Sequence, residues 1–157
     1  MKRFLSFLFI SILFFSCEGQ DKSFEGDGKV DFVASTKVPI VSGTLNGKKT
    51  YFILDSGASL SVLDDTQSES FGFETSNSDK EAFGYGGVAK FKEASNVEIT
   101  IGGLVFETDF KSQDLTGLKN LILEVDGYVI SGIIGSDIMK KNNFILDYST
   151  STITIGK

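Results

Sequence analysis

The chain has 157 residues, 21 acidic and 15 basic, for a net charge of −6, and it contains no histidine and one cysteine. That length suits one domain with its own core, and the acidic balance disfavours nucleic acid as a partner. Without histidine, and with its one cysteine close to the N-terminus, the chain lacks Ser-His and Cys-His nucleophile pairs, the usual zinc ligand sets and any intrachain disulfide. Chemistry falls to carboxylates, hydroxyls, lysines or tyrosines, with no cofactor and no metal expected.

Residues 1–16, "MKRFLSFLFISILFFS", join Lys2 and Arg3 to an apolar run too short to span a membrane comfortably. They read as an export signal. "LFFSC" resembles the lipobox of bacterial lipoproteins, which implies that Cys17 is lipidated as the first residue of the mature chain. Phe14 and Phe15 depart from the commonest pattern, and a plain cleaved signal or an uncleaved anchor is the alternative. Residues 17–29 would then be the lipidated Cys and a polar tether, and 30–157 the domain. Removing 1–16 takes away two basic residues and no acidic one, leaving −8. The expected location is the cell envelope, anchored to a bacterial membrane on its periplasmic or surface face.

The domain reads as short strands. "KVPIVSGTL" and "KKTYFIL" flank Asn46-Gly47, a strong hairpin signal, and Pro39 marks a strand entrance or edge. "ILDSGASLSVL" follows, with Asp55 between an apolar run and a small-residue turn. Taken alone, Asp-Ser-Gly is an ordinary turn. A short helix is possible near residues 66–71, and 77–80 read as a loop. "AFGYGGVAKF" places Gly84, Gly86 and Gly87 around Tyr85, which suggests a mobile hairpin. "NVEITI" and "LVFETDF" form a second hairpin around Gly102-Gly103. Residues 112–118 read as a loop, "GYVISGIIG" as a buried strand and "SDIMKK" as one or two helical turns. "FILDY" and "STITIGK" close the chain as a third hairpin. The fold class is all-β, barrel-like or sandwich, with one or two short helices.

"GYGGVA" fits a dinucleotide-binding pattern, but a strand follows it where a helix is needed. An RNA-binding signature is also echoed there, without its leading basic residue or second aromatic. Asp64-Asp65, Asp137 and Asp147 suit a surface turn, a helix start and a strand end.

In order, "LDSGAS", "FGYGG" and "GIIGSDIM" followed by "FILDYSTSTITI" resemble the retropepsin-like aspartic proteases over about residues 37–155. The resemblance implies a small closed barrel-like domain and a homodimer with Asp55 from each subunit at the two-fold axis, because one chain carries one such motif. Two adjacent carboxylates sharing a proton would supply both the base that activates water and the acid that protonates the leaving group. Ser56 would brace the two loops across the dimer, Gly57 would admit backbone close to the carboxylate, and Ala58 offers it no hydroxyl. That missing hydrogen bond, which would favour the charged form, leads us to expect a mildly acidic to near-neutral optimum. Gly84, Tyr85, Gly86 and Gly87 would form a flap over an extended peptide or protein substrate. Ile133 and Ile134 would thread as buried strand, with Gly135 packed on the active-site loop. The implied activity is that of an aspartic endopeptidase. The alternatives are a non-catalytic peptide-binding or interaction lipoprotein of the same fold, and an unrelated β-sandwich in which Asp-Ser-Gly is only a turn.

Overall fold

The computed structural model describes residues 28–33, 38–84, 87–106 and 109–156. The signal, Cys17 and most of the tether lie outside the described residues, as do Tyr85 and Gly86.

Strand β1 (Lys29–Asp31) opens the described chain, and β2 (Ile40–Leu45) and β3 (Lys48–Leu54) form the first hairpin. Pro39 stands immediately before β2, so its missing N–H interrupts no ladder. The turn uses Asn46 and Gly47 at φ 49° and 75°, the positive values that a two-residue hairpin loop with the natural strand twist needs. The Asn46 amide donates to the carbonyls of Phe71 and Asn96, and its oxygen accepts from Glu98 N, so the turn ties three segments together. β4 (Val62–Asp64), a 3-10 turn (Asp65–Gln67) and helix α1 (Ser68–Phe71) follow.

Next come β5 (Glu74–Gly84) and β6 (Gly87–Ser95), an antiparallel pair with Gly84 opposite Gly87. The expected loop at 77–80 is instead part of β5, and the irregularity survives only as a register shift between Asn77 and Glu81. β7 (Ile99–Ile101) and β8 (Leu104–Phe106) make the second hairpin. β9 (Phe110–Gln113), helix α2 (Thr116–Asp126), β10 (Ile130–Ile134), helix α3 (Ser136–Lys141), β11 (Phe144–Asp147) and β12 (Thr152–Ile155) complete the chain. At the β11–β12 turn, hydrogen bonds from the Ser149 hydroxyl and then Thr150 hold Asp147 down to about 2, the strand-end role expected of it.

The all-β expectation holds, with two sheets. One is ordered β1-β12-β11, the other β5-β6-β9-β4-β10-β3-β2-β7-β8. Among the described residues hydrogen bonds close neither sheet into a ring, and the packing of one sheet over the other encloses the core. The larger core gathers Val41, Phe52, Leu54, Leu63, Phe110 and Ile134 with Ile153 and Ile155 of the small sheet.

The opposite face of β3 and β10 is also buried: Ile40, Ile53 and Ile130 pack there under Ile122 of α2. A strand covered on both faces needs a continuous apolar run, and Tyr51-Phe52-Ile53-Leu54 is one. Helix α2 is the cover. It corrects the reading of 112–118 as loop, since Ser112 and Gln113 belong to β9 and the helix begins at Thr116.

Candidate active site

Asp55 is the first residue past β3, and its placement follows from what surrounds that strand end. β10 lies between β3 and β4, parallel to the first and antiparallel to the second: Ile133 faces both Ile53 and Val62, and Ile134 faces Leu54. The seven residues joining β3 to β4 therefore wrap around the end of β10. Asp55 N donates to Ile134 O (3.0 Å) and Leu54 N to Pro39 O (2.9 Å), which fixes the backbone that carries the carboxylate.

The loop then turns on itself. Ala58 N donates to Asp55 O at 3.1 Å, and Gly57 N donates to the carboxylate Oδ1 at 2.8 Å. A Cβ on Gly57 would stand 3.2 Å from that oxygen, so glycine admits the close approach expected of it. Asp55, Ser56 and Gly57 are exposed. One carboxylate lone pair is thus held by a backbone amide, and the group as a whole faces outward.

Helix α3 clamps the far side. The N–H and hydroxyl of Ser136 both donate to Ala58 O, at 2.8 and 2.9 Å. Gly135 N donates to Ser61 Oγ (2.9 Å), and Ser61 in turn donates through its hydroxyl and its N–H to the two oxygens of Asp137, at 2.6 and 2.9 Å. A Cβ on Gly135 would meet Leu60 O at 2.6 Å and Ala58 O at 2.9 Å, so no larger residue fits. Ile134 is fully buried and Ile133 partly so. The structure therefore brings together Asp55, Ser56, Gly57, Ala58, Ile133, Ile134 and Gly135. Gly84 and Gly87 sit at the end of the β5–β6 hairpin; Tyr85 and Gly86 fall outside the described residues.

Two features escaped the sequence reading. Asp64 is no surface turn: it is fully buried at the end of β4. Burial alone would raise its pKa, but hydrogen bonds from Lys119 Nζ (2.5 Å), Gln67, Thr66 and Leu115 N outweigh that and hold it below the usual 3.8. Gln67 also donates to Ile130 O and accepts from the Ser131 hydroxyl, which pairs with Thr50 at 2.5 Å. This polar network anchors the start of α2 to β3, β4 and β10.

The second is α2 itself, which walls a cavity of about 510 Å³. Asp55, Ser56, Ile53 and Ile133 line one side, and Leu118, Leu121, Ile122 and Val125 the other. The signal was present in the sequence: apolar residues at 118, 121, 122 and 125 follow helical spacing, and Gly127, at φ 79°, ends the helix. Among the described residues, no group of three or more acidic, cysteine or histidine side chains is arranged to hold a metal ion.

An outward-facing Asp-Ser-Gly loop, wrapped around a threaded Ile-Ile-Gly strand in a two-sheet β domain, defines a retropepsin-like aspartic protease fold. The aspartyl protease family model matches residues 41–138, more than half of the chain, and the chain belongs to that family. Solved structures share the architecture. They include the EIAV protease in complex with an inhibitor (20% identity, covering 68% of this chain and 89% of that one, TM-score 0.50). The retroviral protease-like domain of Ddi1 from Leishmania major covers 76% and 89% at 18% identity, TM-score 0.51. A retropepsin-like aspartic protease from Rickettsia conorii covers 81% and 87% at 15% identity, TM-score 0.50. At these identities the likeness is one of fold. No curated protein sequence matches the chain.

Proposed function

We propose that the protein is an aspartic endopeptidase that works as a homodimer, with Asp55 of each subunit meeting at the two-fold axis. The observation that carries this reading is the outward-facing Asp55 carboxylate, oriented by Gly57 N–H at the rim of a largely apolar cavity, in a chain of the aspartyl protease family. One carboxylate can accept a proton from water or give one to the leaving amine; doing both in one step takes a second carboxylate beside it. Two such groups in contact share one proton, because both cannot ionise at that distance. The charged member draws a proton from water, the oxygen attacks the peptide carbonyl, and the protonated member supplies the amine as the carbon–nitrogen bond breaks.

The remaining residues support that chemistry. Ser56, exposed beside Asp55, is available to hydrogen-bond across the two loops. Gly84, Tyr85, Gly86 and Gly87 serve as the flap that closes over an extended peptide. Cys17 carries a lipid that holds the domain on the periplasmic or surface face of a bacterial membrane, and confinement to one membrane raises the effective concentration of the two subunits.

The test is a mixed peptide library incubated with the full chain, with and without a pepstatin-type transition-state mimic. Cleavage blocked by the mimic and lowered about 10²- to 10⁴-fold in Asp55→Asn supports the assignment. Wild-type rates in that variant refute it, and binding without turnover replaces it with a peptide-binding module. Cys17→Ser should move the protein from the membrane fraction to the soluble one.

A further inference from the structure

We infer that Ser131, Thr50 and Gln67 are positioning residues for Asp55: together they hold a bulge in β10 that decides which backbone carbonyl receives the Asp55 amide. The inference rests on the proposed peptidase activity and names residues outside the Asp55 loop on which that activity depends.

The bulge shows in the pairing of β10 with β3. Ile130 pairs with Tyr51 and Gly132 with Phe52, so two steps along β10 match one along β3, and Ser131 is the extra residue. The faces agree. Side chains alternate along a regular strand, which would put Ile130 and Ile133, three positions apart, on opposite faces. Both instead join the cluster under α2, while Ile134 enters the main core. Gly132 follows the bulge with β4 pressed against it, since a Cβ there would stand 2.6 Å from Val62 O.

Three side chains hold the extra residue. The Ser131 hydroxyl, in a residue only 1% exposed, donates to Gln67 Oε1 at 2.8 Å and meets the Thr50 hydroxyl at 2.5 Å. The Gln67 amide nitrogen donates to Ile130 O, the carbonyl just before the bulge, and to Asp64, both at 2.9 Å. Both ends of that amide are thus engaged, and β3, β4 and β10 are tied at one point. Leaving buried hydroxyls unpaired is costly, so the network selects the register in which all of these groups are paired.

The consequence lies at the far end of the strand. With the bulge, Ile134 pairs with Leu54, Asp55 N reaches Ile134 O, and Gly135 falls where Ala58 O and Leu60 O admit no side chain. Regular pairing carried on from Ile130 and Tyr51 would bring Ile133 to Leu54 instead. The Asp55 amide would then meet Ile133 O, and Ile134 would take the place of Gly135. A one-residue shift is about 3.3 Å, and misplacing a reacting group by about 1 Å is enough to cost about 10²-fold in rate.

The test compares full-length wild type with Ser131→Ala, with Thr50→Val, which removes the hydroxyl at nearly constant shape, and with Thr50→Ser, which keeps it. Amide hydrogen exchange read by NMR follows Asp55 against Leu54, whose N–H donates to Pro39 O and so does not depend on β10. Exchange at Asp55 should rise about tenfold relative to Leu54 in Ser131→Ala and Thr50→Val. In the same two variants kcat, measured well below the melting temperature, should fall about 10- to 100-fold. Thr50→Ser should stay close to wild type in both readouts, and the Thr50 pair decides the matter where Ser131→Ala does not fold. A merely structural loss would speed both amides together and follow the melting temperature; that result, or unchanged Asp55 exchange and kcat in the variants lacking a hydroxyl, overturns the inference. The two readouts also separate the two proposals. Selective exchange at Asp55 in a chain without Asp55-dependent turnover keeps the register lock and removes the peptidase. Asp55-dependent turnover without selective exchange does the reverse.

Discussion

Lys119 and Asp64 form an ion pair with Asp64 fully buried and the lysine side chain 18% exposed. Removing one partner of such a pair strands the other charge away from water. Lys119→Met should therefore destabilise the protein by about 3–5 kcal/mol, read as a lower urea midpoint at unchanged slope. The pH dependence has a definite sign. Asp64 takes up its proton less readily folded than unfolded, so its contribution is complete above the usual carboxylate range and is lost as pH falls through the lowered folded value. The acid limb of stability against pH should flatten in Asp64→Asn. Neither residue announced itself in the sequence: Asp64-Asp65 looks like any polar turn, and the partner that makes burial tolerable lies 55 positions away. Asp55 drew attention because a resemblance spread over three motifs implied a role for it. Its local neighbours alone suggested only a turn.

Among the elements, the hairpins were readable because their turn residues are dictated locally. Asn46-Gly47 and Gly102-Gly103 supply the positive φ values that their loops need. Helix α3 matched its expected bounds at 136–141 because Gly135 separates it from β10 and its first turn carries Asp137. Helix α2 was missed because it lacks a side-chain cap at its start, and because Gly127 was assigned to the following strand when it ends the helix. The fit of β10 to the Asp55 loop leads to a further prediction. Gly135→Ala forces a Cβ within 2.6 Å of Leu60 O, so it should destabilise the domain by about 1–3 kcal/mol and lower turnover more than it lowers the thermal midpoint would imply. Differential scanning calorimetry alongside peptide cleavage measures both. Equal activity and stability to wild type would contradict the packing described here.

At the scale of the whole molecule, the proposed sharing of the site between two copies would make activity depend on their association. Turnover per mole of chain should rise with protein concentration and level off where sedimentation shows complete dimer. Activity that stays constant in strictly monomeric solutions would exclude the shared carboxylates. The optimum should lie at mildly acidic to near-neutral pH, and maximal cleavage below about pH 3 would contradict the expectation drawn from Ala58, which offers no side-chain hydrogen bond to favour the charged form.

β10 also sets an order of events. It must enter between β3 and β4, strands about 70 to 80 residues earlier in the chain, before Asp55 N has its acceptor on Ile134. Contacts between such distant parts of a chain form late, since a long loop has to close first. A nascent polypeptide that ends before Ile130 can build its early hairpins yet cannot seat the aspartate. The protein is thus expected to pass through synthesis with the Asp55 loop unset, and the loop gains its acceptor on Ile134 only when the last quarter of the chain is in place.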